Sequence, residues 1–368
     1  EQGVVRSCAF GHGLHHIISL AVHLMYNICC MAKPRNQRRV WLAAIAGILL
    51  LALAALLSLS LGTVRLTPAE TLRALFAPDD VEAVTSAVIW SIRLPRIVVA
   101  MLVGAALASV GAVMQAILRN PLAEPGITGV SAGAAVGAVA GITLGMAGGS
   151  QWGIPLAAFA GAAIVALTLQ TVLQARRDLG TASIILVGVS ISALAGALIN
   201  VLIANAEDDA LVRSALFWLA GDLELRGWNH VLLAVFPIVL GLGYLLTRIR
   251  ALDALALGEQ IAATSGVNVS RERLTLLLVA SLVTGAAVAV SGIISFVGLV
   301  VPHAVRLVVG ASHARLLPLS ALGGALFLAL ADTVARTAFG PVVVQTGVVA
   351  ALVGAPIFLA LLLRRRSS

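Results

Sequence analysis

The 368-residue chain contains a single lysine, Lys33, and no cysteine beyond Cys30. Each absence removes a class of chemistry. A loop that cradles nucleotide phosphates needs a Gly-Lys-Ser/Thr step, whereas Lys33 follows Ala32 and precedes Pro34. The chain therefore lacks that ATPase motif, and any uphill work must draw on a partner or on an ion gradient. With no cysteine after Met31, neither a disulfide nor a thiol is available over the rest of the length. Charge is also scarce, at 11% of residues.

Apolar residues fill the space that charge leaves. They make up 60% of the chain, and the mean hydropathy is +1.05. A soluble protein of this length needs far more polar surface. Apolar runs of about 20 residues recur from end to end, as in a polytopic helical membrane protein. Strands are excluded, because backbone in lipid must satisfy itself and no two-residue alternation is present. The expected fold is all-α, with ten spans: 40–62, 96–118, 126–146, 154–175, 181–205, 228–248, 273–294, 296–310, 315–336 and 343–363. The eighth is short. No connection is long enough for a soluble domain, so 31–368 reads as one ten-helix transmembrane domain.

Within the spans the only acid is Asp332. Carriers coupled to protons or sodium place carboxylates at mid-membrane, so gradient coupling is poorly supported and a separate ATPase is the better expectation. No nucleophile–base pair and no His/Asp/Glu cluster stands in the spans, which argues against an intramembrane enzyme. Neither catalytic residues nor a metal site are expected there.

Orientation follows from basic residues. Placing both termini in the cytoplasm puts Lys33, Arg35, Arg38, Arg39, Arg119, Arg176, Arg177, Arg248, Arg250, Arg271, Arg273, Arg306, Arg315 and the run Arg364 to Arg366 inside. Arg65, Arg73, Arg93, Arg96, Arg213, Arg226 and Arg336 are then outside. The positive-inside rule favours this arrangement, and it accounts for the net charge of +8 without nucleic acid.

Residues 1–30 hold Cys8, Cys29, Cys30 and four of the seven histidines, His12, His15, His16 and His23. The His-x-x-His-His spacing suits a metal or haem ligand set. The plainer expectation is an upstream extension, because Met31 opens KPRNQRRVW, a natural cytoplasmic lead into a first span.

Two stretches carry more specific signals. In LRNPLAEPG, Pro121 and Pro125 bias the residues before them toward extended backbone, which predicts a rigid elbow over 120–126. Gly129, Gly133, Gly137, Gly141 and Gly145 then recur every fourth residue, a ridge on which a neighbouring helix can pack closely. Between spans six and seven, ALDALALGEQIAATSGVNVSRER is the one long inside connection. Its apolar spacing before a Ser265-Gly266 stop predicts a short amphipathic helix, Ala254–Ser265, able to receive a push from an ATPase or to lie at the lipid interface.

Several segments together resemble one family. These are RLPR at 93–96, GAVMQAILRNPLAEPGITGVSAGA at 111–134, ALGEQ at 256–260, SGIISFVGLVVPHAVRL at 291–307, LADTVAR at 330–336 and GAPIFLALLL at 354–363. In this order they resemble the FecCD-type permeases, the membrane subunits of ATP-binding-cassette importers for haem, iron-siderophores and vitamin B12. The resemblance implies a ten-helix type II permease of the bacterial inner membrane that pairs with a second copy of itself. It also implies two ATPase subunits, which bind ATP and magnesium, and a periplasmic haem- or iron-chelate-binding protein. The chain itself then holds no cofactor.

The resemblance also implies site residues. Asn120 and Leu122, with Gly180 and Thr181, match the cytoplasmic gate, although a hydroxyl residue is usual where Gly180 stands. Leu257, Gly258, Glu259 and Gln260 match the ATPase coupling segment. Arg93, Arg96 and Arg336 match arginines that grip acidic residues of the binding protein. His303 falls near the cytoplasmic end of span eight, where a packed or interfacial histidine is expected rather than a haem ligand. One departure stands out: Val343-Val344-Gln345-Thr346-Gly347 replaces the usual Glu-Leu-Pro-Ile/Val-Gly before the last span. Glu-Pro-Gly after Asn-Pro-Leu-Ala resembles the haem and vitamin B12 branches, and a passage walled by Ala, Val, Leu and Gly suits haem, with iron-siderophore and vitamin B12 as the alternatives.

Overall fold

A computed structural model describes residues 37–62, 64, 66–146, 151–175, 180–338 and 344–364, with the side chains of 362 and 364 excepted. The stretch 1–30, Lys33, Arg35, Arg65, Arg176, Arg177, Arg365 and Arg366 lie outside the described residues. Helices account for nearly all of what is described. In order they are α1 (Gln37–Ser60), α2 (Pro68–Phe76), α3 (Ala83–Ala87), α4 (Leu94–Ile117), α5 (Val130–Thr143), α6 (Gly153–Ala175), α7 (Thr181–Ala204) and α8 (Asp209–Leu219). There follow α9 (Trp228–Thr247), α10 (Ile249–Leu257), α11 (Glu259–Thr264), α12 (Val269–Ser291), α13 (Val297–Val309), α14 (His313–Thr337) and α15 (Thr346–Arg364).

Seven of these are long and apolar enough to cross a bilayer, α4 together with the turns before it, and α5, α13 and α15 are shorter apolar helices. Together they match the ten expected spans. The third is shorter than the sequence suggests. Pro125–Thr128 forms a 3₁₀ turn and Gly129 takes φ +80°, so α5 begins only at Val130. At 14 and 13 residues, α5 and α13 reach roughly 20 Å at 1.5 Å per residue, short of the ~30 Å hydrocarbon core.

The long helices alternate in direction, and contacts between their tips define two ends. One gathers the starts of α4 and α9, where Trp228 donates to the Trp90 carbonyl at 2.9 Å. The other gathers the end of α9 and the start of α12, joined by an Arg248–Glu272 ion pair at 3.2 Å. The first is called the arginine end below and the second the elbow end.

Burial divides the helices into a centre and a periphery. In the most apolar stretch of α4, 78% of residues are buried, and 72% in α12, against 6% in α1 and 17% in α7. The centre closes backbone to backbone. A methyl group on Gly104 would collide with the Gly324 carbonyl of α14, and one on Gly111 with the Gly298 carbonyl of α13. Such small-residue contacts are how helices associate where lipid offers no hydrophobic drive.

Between α12 and α13 the residues 292–296 are not helical. They are sheltered by protein, Gly292 and Ile293 against Trp218, Gly221 and Gly347 and Phe296 against Gly354. Irregular backbone at membrane depth survives only in such shelter. The loops carry their own signals: Thr67 and Glu70 cap α2 reciprocally, with Glu70 N–H donating to Thr67 Oγ1 at 3.2 Å and Thr67 N–H to Glu70 Oε2 at 2.8 Å. At the C-terminal end of α8, Trp218 is buried, as its amphipathic surroundings suggest.

Candidate functional site

The elbow is built by the way α4 ends. Arg119 N–H donates to the Ala116 carbonyl at 3.3 Å and Asn120 N–H to that of Gln115 at 3.2 Å. These crossed bonds close the helix through a left-handed residue, here Arg119 at φ +47°. Asn120 then holds the turn with its side chain, Oδ1 accepting from Leu122 N–H at 2.9 Å, and its carbonyl accepts from Ala123 N–H at 3.1 Å. Leu122 is left 45% exposed. Burial pushes the Glu124 carboxyl above its ordinary range, opposed by a hydrogen bond from the Phe296 backbone N–H. The elbow thereby touches the start of α13 as well as α4.

Gly180 and Thr181 open α7, and among the described residues nothing stands within 4 Å of a side chain built on Gly180. α7 meets the elbow further along instead, where a methyl group on Gly188 would strike the Ile127 carbonyl. Of the expected glycine ridge, Gly133 and Gly137 press against the backbone of α6, whereas a methyl group on Gly141 would come no closer than the Ala157 side chain, at 3.3 Å. Gly129 and Gly145 lie outside α5 and supply left-handed turns at φ +80° and +72°. The ridge is therefore two packing glycines and a looser third, flanked by two glycines required by backbone geometry.

The expected single helix Ala254–Ser265 is instead two. Gly258 adopts φ +128° and ψ 155°, a conformation open to glycine, and divides α10 from α11. The stop at Ser265-Gly266 falls where expected, Gly266 taking φ +80°. Leu252 and Leu255 are buried against the bundle, while Leu257 and Ile261, on either side of the break, are exposed with Gln260 between them. Asp253 anchors α10 to the start of α14, accepting from His313 N–H at 2.8 Å with its Oδ1 2.6 Å from His313 Nδ1. Glu259 Oε1 lies 2.5 Å from Arg273 Nη2 and 3.8 Å from Arg119 Nη2. The elbow and the α10–α11 segment thus share one end of the bundle.

At the arginine end the three arginines expected to grip a binding protein are engaged within the chain instead. Arg93 is only 6% exposed and caps α1, donating to the carbonyls of Leu59 at 2.5 Å and Ser60 at 3.2 Å and to that of Val64. These acceptors include carbonyls that the end of a helix leaves without partners. Arg96 grips the buried Asp332 with Nε at 3.1 Å from both carboxylate oxygens and Nη2 at 2.8 Å from Oδ1. Arg336 places Nε 3.2 Å from Asp332 Oδ2 and donates through Nη2 to Ser58. Thr346 completes the set, its hydroxyl donating to Asp332 Oδ1 at 2.9 Å. Arg93 therefore faces inward, and Arg96 and Arg336 keep side chains only 13% and 14% exposed. Thr346, part of the departure noted before the last span, ties α15 to this cluster. Its role was not readable from the sequence, because the acid it serves lies in another helix.

A model of the FecCD transport family matches residues 30–364. The chain belongs to that family. A FecCD relative named as a cobalamin import system permease protein, from Halobacterium salinarum, is 48% identical over 276 residues, 75% of this chain and 73% of that protein. A hemin transport system permease protein of Yersinia pestis is 42% identical over 292 residues, covering 76% and 84%. An Fe(3+) dicitrate transport system permease protein of Escherichia coli K12 is 42% identical over 279 residues, covering 76% and 86%. Among solved structures, a metal-chelate type ABC transporter in an inward-facing conformation superposes with a TM-score of 0.76 at 32% identity, over 87% of this chain and 98% of that one. The FecCD chain described here is accordingly a multi-pass membrane permease of the ATP-binding-cassette importer type.

Proposed function

We propose that this chain is the membrane subunit of an importer in which a separate pair of ATPases works on the elbow end and an extracytoplasmic binding protein delivers cargo at the arginine end. The observation that carries the reading is the meeting of the elbow and the α10–α11 segment at one end of the bundle. A segment with exposed Leu257, Gln260 and Ile261 offers a surface to a partner, and the elbow beside it, with half-exposed Leu122, is the element a partner's push would move. The distribution of basic residues supports a cytoplasmic position for both termini and an outward position for the arginine end. Two copies of the chain would enclose the passage, as the resemblance implies, and Gly180 and Thr181 at the start of α7 would complete the gate with Asn120 and Leu122.

In this reading Arg96 and Arg336 shape the surface that meets acidic residues of the binding protein, while Arg93 holds α1 in place behind them. The cargo is proposed to be haem. A wall of Ala, Val, Leu and Gly suits a flat apolar macrocycle and offers few hydrogen bonds to retain it. Cobalamin is the second reading, favoured by the 48% identical relative named for it, and an iron-siderophore the third. Reconstitution in liposomes with the ATPases and the binding protein decides among them, with ATP-dependent uptake of haem as the expected result. Uptake of cobalamin or a ferric siderophore with none of haem would replace the cargo and keep the importer. Absence of ATP-driven uptake of all three would remove the importer assignment.

A further inference from the structure

We propose that Arg119 is the positioning residue that connects the α10–α11 segment to the elbow, through a carboxylate, Glu259, that it shares with Arg273. The inference rests on the importer reading and adds the route by which motion of one segment reaches the other.

The backbone supplies the first observation. The crossed hydrogen bonds that end α4 require a left-handed residue at position 119, a place glycine fills without strain. Arginine occupies it at φ +47°. A side chain kept where the backbone disfavours one points to a use for that side chain. Its position shows the use. The guanidinium lies beside the break between α10 and α11, Nη1 3.8 Å from where a side chain on Gly258 would begin and Nη2 3.8 Å from Glu259 Oε1.

The second observation is the asymmetry of the acid's two partners. Arg273 stands on α12, one of the two most enclosed helices, and holds Glu259 at 2.5 Å with its own side chain 13% exposed. Arg119 is 45% exposed and stands further off at 3.8 Å. Among the described ion pairs these two converge on the same oxygen, one from the rigid centre and one from the elbow. A displacement of α11 away from α12 carries Glu259 out of reach of Arg273 while Arg119, on a long side chain, can follow it. Glu259 and Arg119 are both half-exposed, so their own pair forms and breaks at little cost, since such pairs are screened by water. The exchange is nevertheless directed, because Arg119 is bonded to Asn120, whose side chain holds Leu122. Motion at the break thereby becomes motion of the elbow.

The test uses the complete importer in liposomes and reads cargo taken up per ATP hydrolysed. Wild-type uptake is measured first, and its absence would reject the importer reading rather than this link. Arg119→Gly keeps the left-handed turn and removes the guanidinium. Its melting temperature should equal or exceed that of wild type, while uptake per ATP falls roughly two- to thirtyfold, the range for changes along a coupling route. Glu259→Gln should lower the ratio similarly, and the double variant should fall no further than the worse single one. Arg119→Lys, which keeps the charge, should retain more of the ratio than Arg119→Gly. A wild-type ratio in Arg119→Gly, or losses that multiply in the double variant, would overturn the proposal. A lowered melting temperature in Arg119→Gly would also overturn it, since that is the mark of a residue needed only to hold the fold.

Discussion

Both ends of the bundle carry a carboxylate shared by two arginines, and the two clusters behave as opposites. At the arginine end Asp332 is 1% exposed and engages Arg96 and Arg336 by ion pairs and Thr346 by a hydrogen bond. At the elbow end Glu259 is 43% exposed, held closely by Arg273 and loosely by Arg119. Burial separates their roles. A charge removed from water must keep its partners, because losing one strands the others in a low-dielectric site. A half-exposed charge has water as a standing alternative and can change partners cheaply. The first arrangement fixes helices α1, α4, α14 and α15 together, and the second leaves two segments free to shift. Rigidity at one end and exchange at the other is what a subunit worked from below and loaded from above requires.

The largest effect should come from breaking the buried cluster. Asp332→Ala leaves Arg96 and Arg336 facing each other without an acid, and a buried pair broken from one side costs about 3–5 kcal/mol. Loss of folded protein in detergent, or a steep drop in denaturation midpoint, is the expected outcome. Near-wild-type stability would show that water already reaches the cluster and that the contrast between the ends is false. Arg93→Met should come next. It strips hydrogen bonds from the carbonyls of Leu59, Ser60 and Val64, at about 1–3 kcal/mol for buried groups left unsatisfied, and its mark should be fraying at the end of α1 in hydrogen exchange. An unaltered exchange rate there would mean that water or a headgroup takes over the cap.

Thr346→Val is nearly isosteric and removes one donor from Asp332. A hydrogen bond to a charged group contributes about 1.5–3 kcal/mol, and the two arginines remain, so the lower figure is expected. The result matters because Thr346 stands in Val343–Gly347, where the resemblance implies Glu-Leu-Pro-Ile/Val-Gly. A full loss would make the threonine a required replacement for what the departure removed. No loss would make the departure neutral at this site.

How far these features could be read in advance depends on their separation along the chain. The spans were legible because lipid contact demands long apolar runs, and the eighth was recognisably short for the same reason. The α2 cap is local too, written as Thr67-Pro68-Ala69-Glu70. The break at Gly258 was not recognised, since Ala, Leu, Glu and Gln on either side all favour helix and nothing local distinguishes a packing glycine from a left-handed one. Gly129 misled in the same way, its place in a four-residue period masking its role as the turn before α5. The pairing of Arg96 with Asp332 joins residues 236 positions apart, which no spacing reveals. Arg96 and Arg336 lie at span ends, and only the buried acid explains why they turn inward.

The smallest effect on stability belongs to Glu259→Gln. The pair with Arg119 is long and exposed, and the closer pair with Arg273 joins a half-exposed acid to a largely buried arginine. Exposed pairs contribute about 0–1 kcal/mol, and the glutamine amide can still accept from Arg273. The denaturation midpoint should therefore hardly move, and the small difference from wild type should shrink further in salt, as screening of solvent-exposed charges demands. The neighbouring Gly258→Ala serves as the control in the same segment. Its φ of +128° is closed to alanine, so it should lose more stability than Glu259→Gln, with no salt dependence. Were Glu259→Gln the costlier of the two, Glu259 would be a structural clamp like Asp332, and the elbow end would be as fixed as the arginine end.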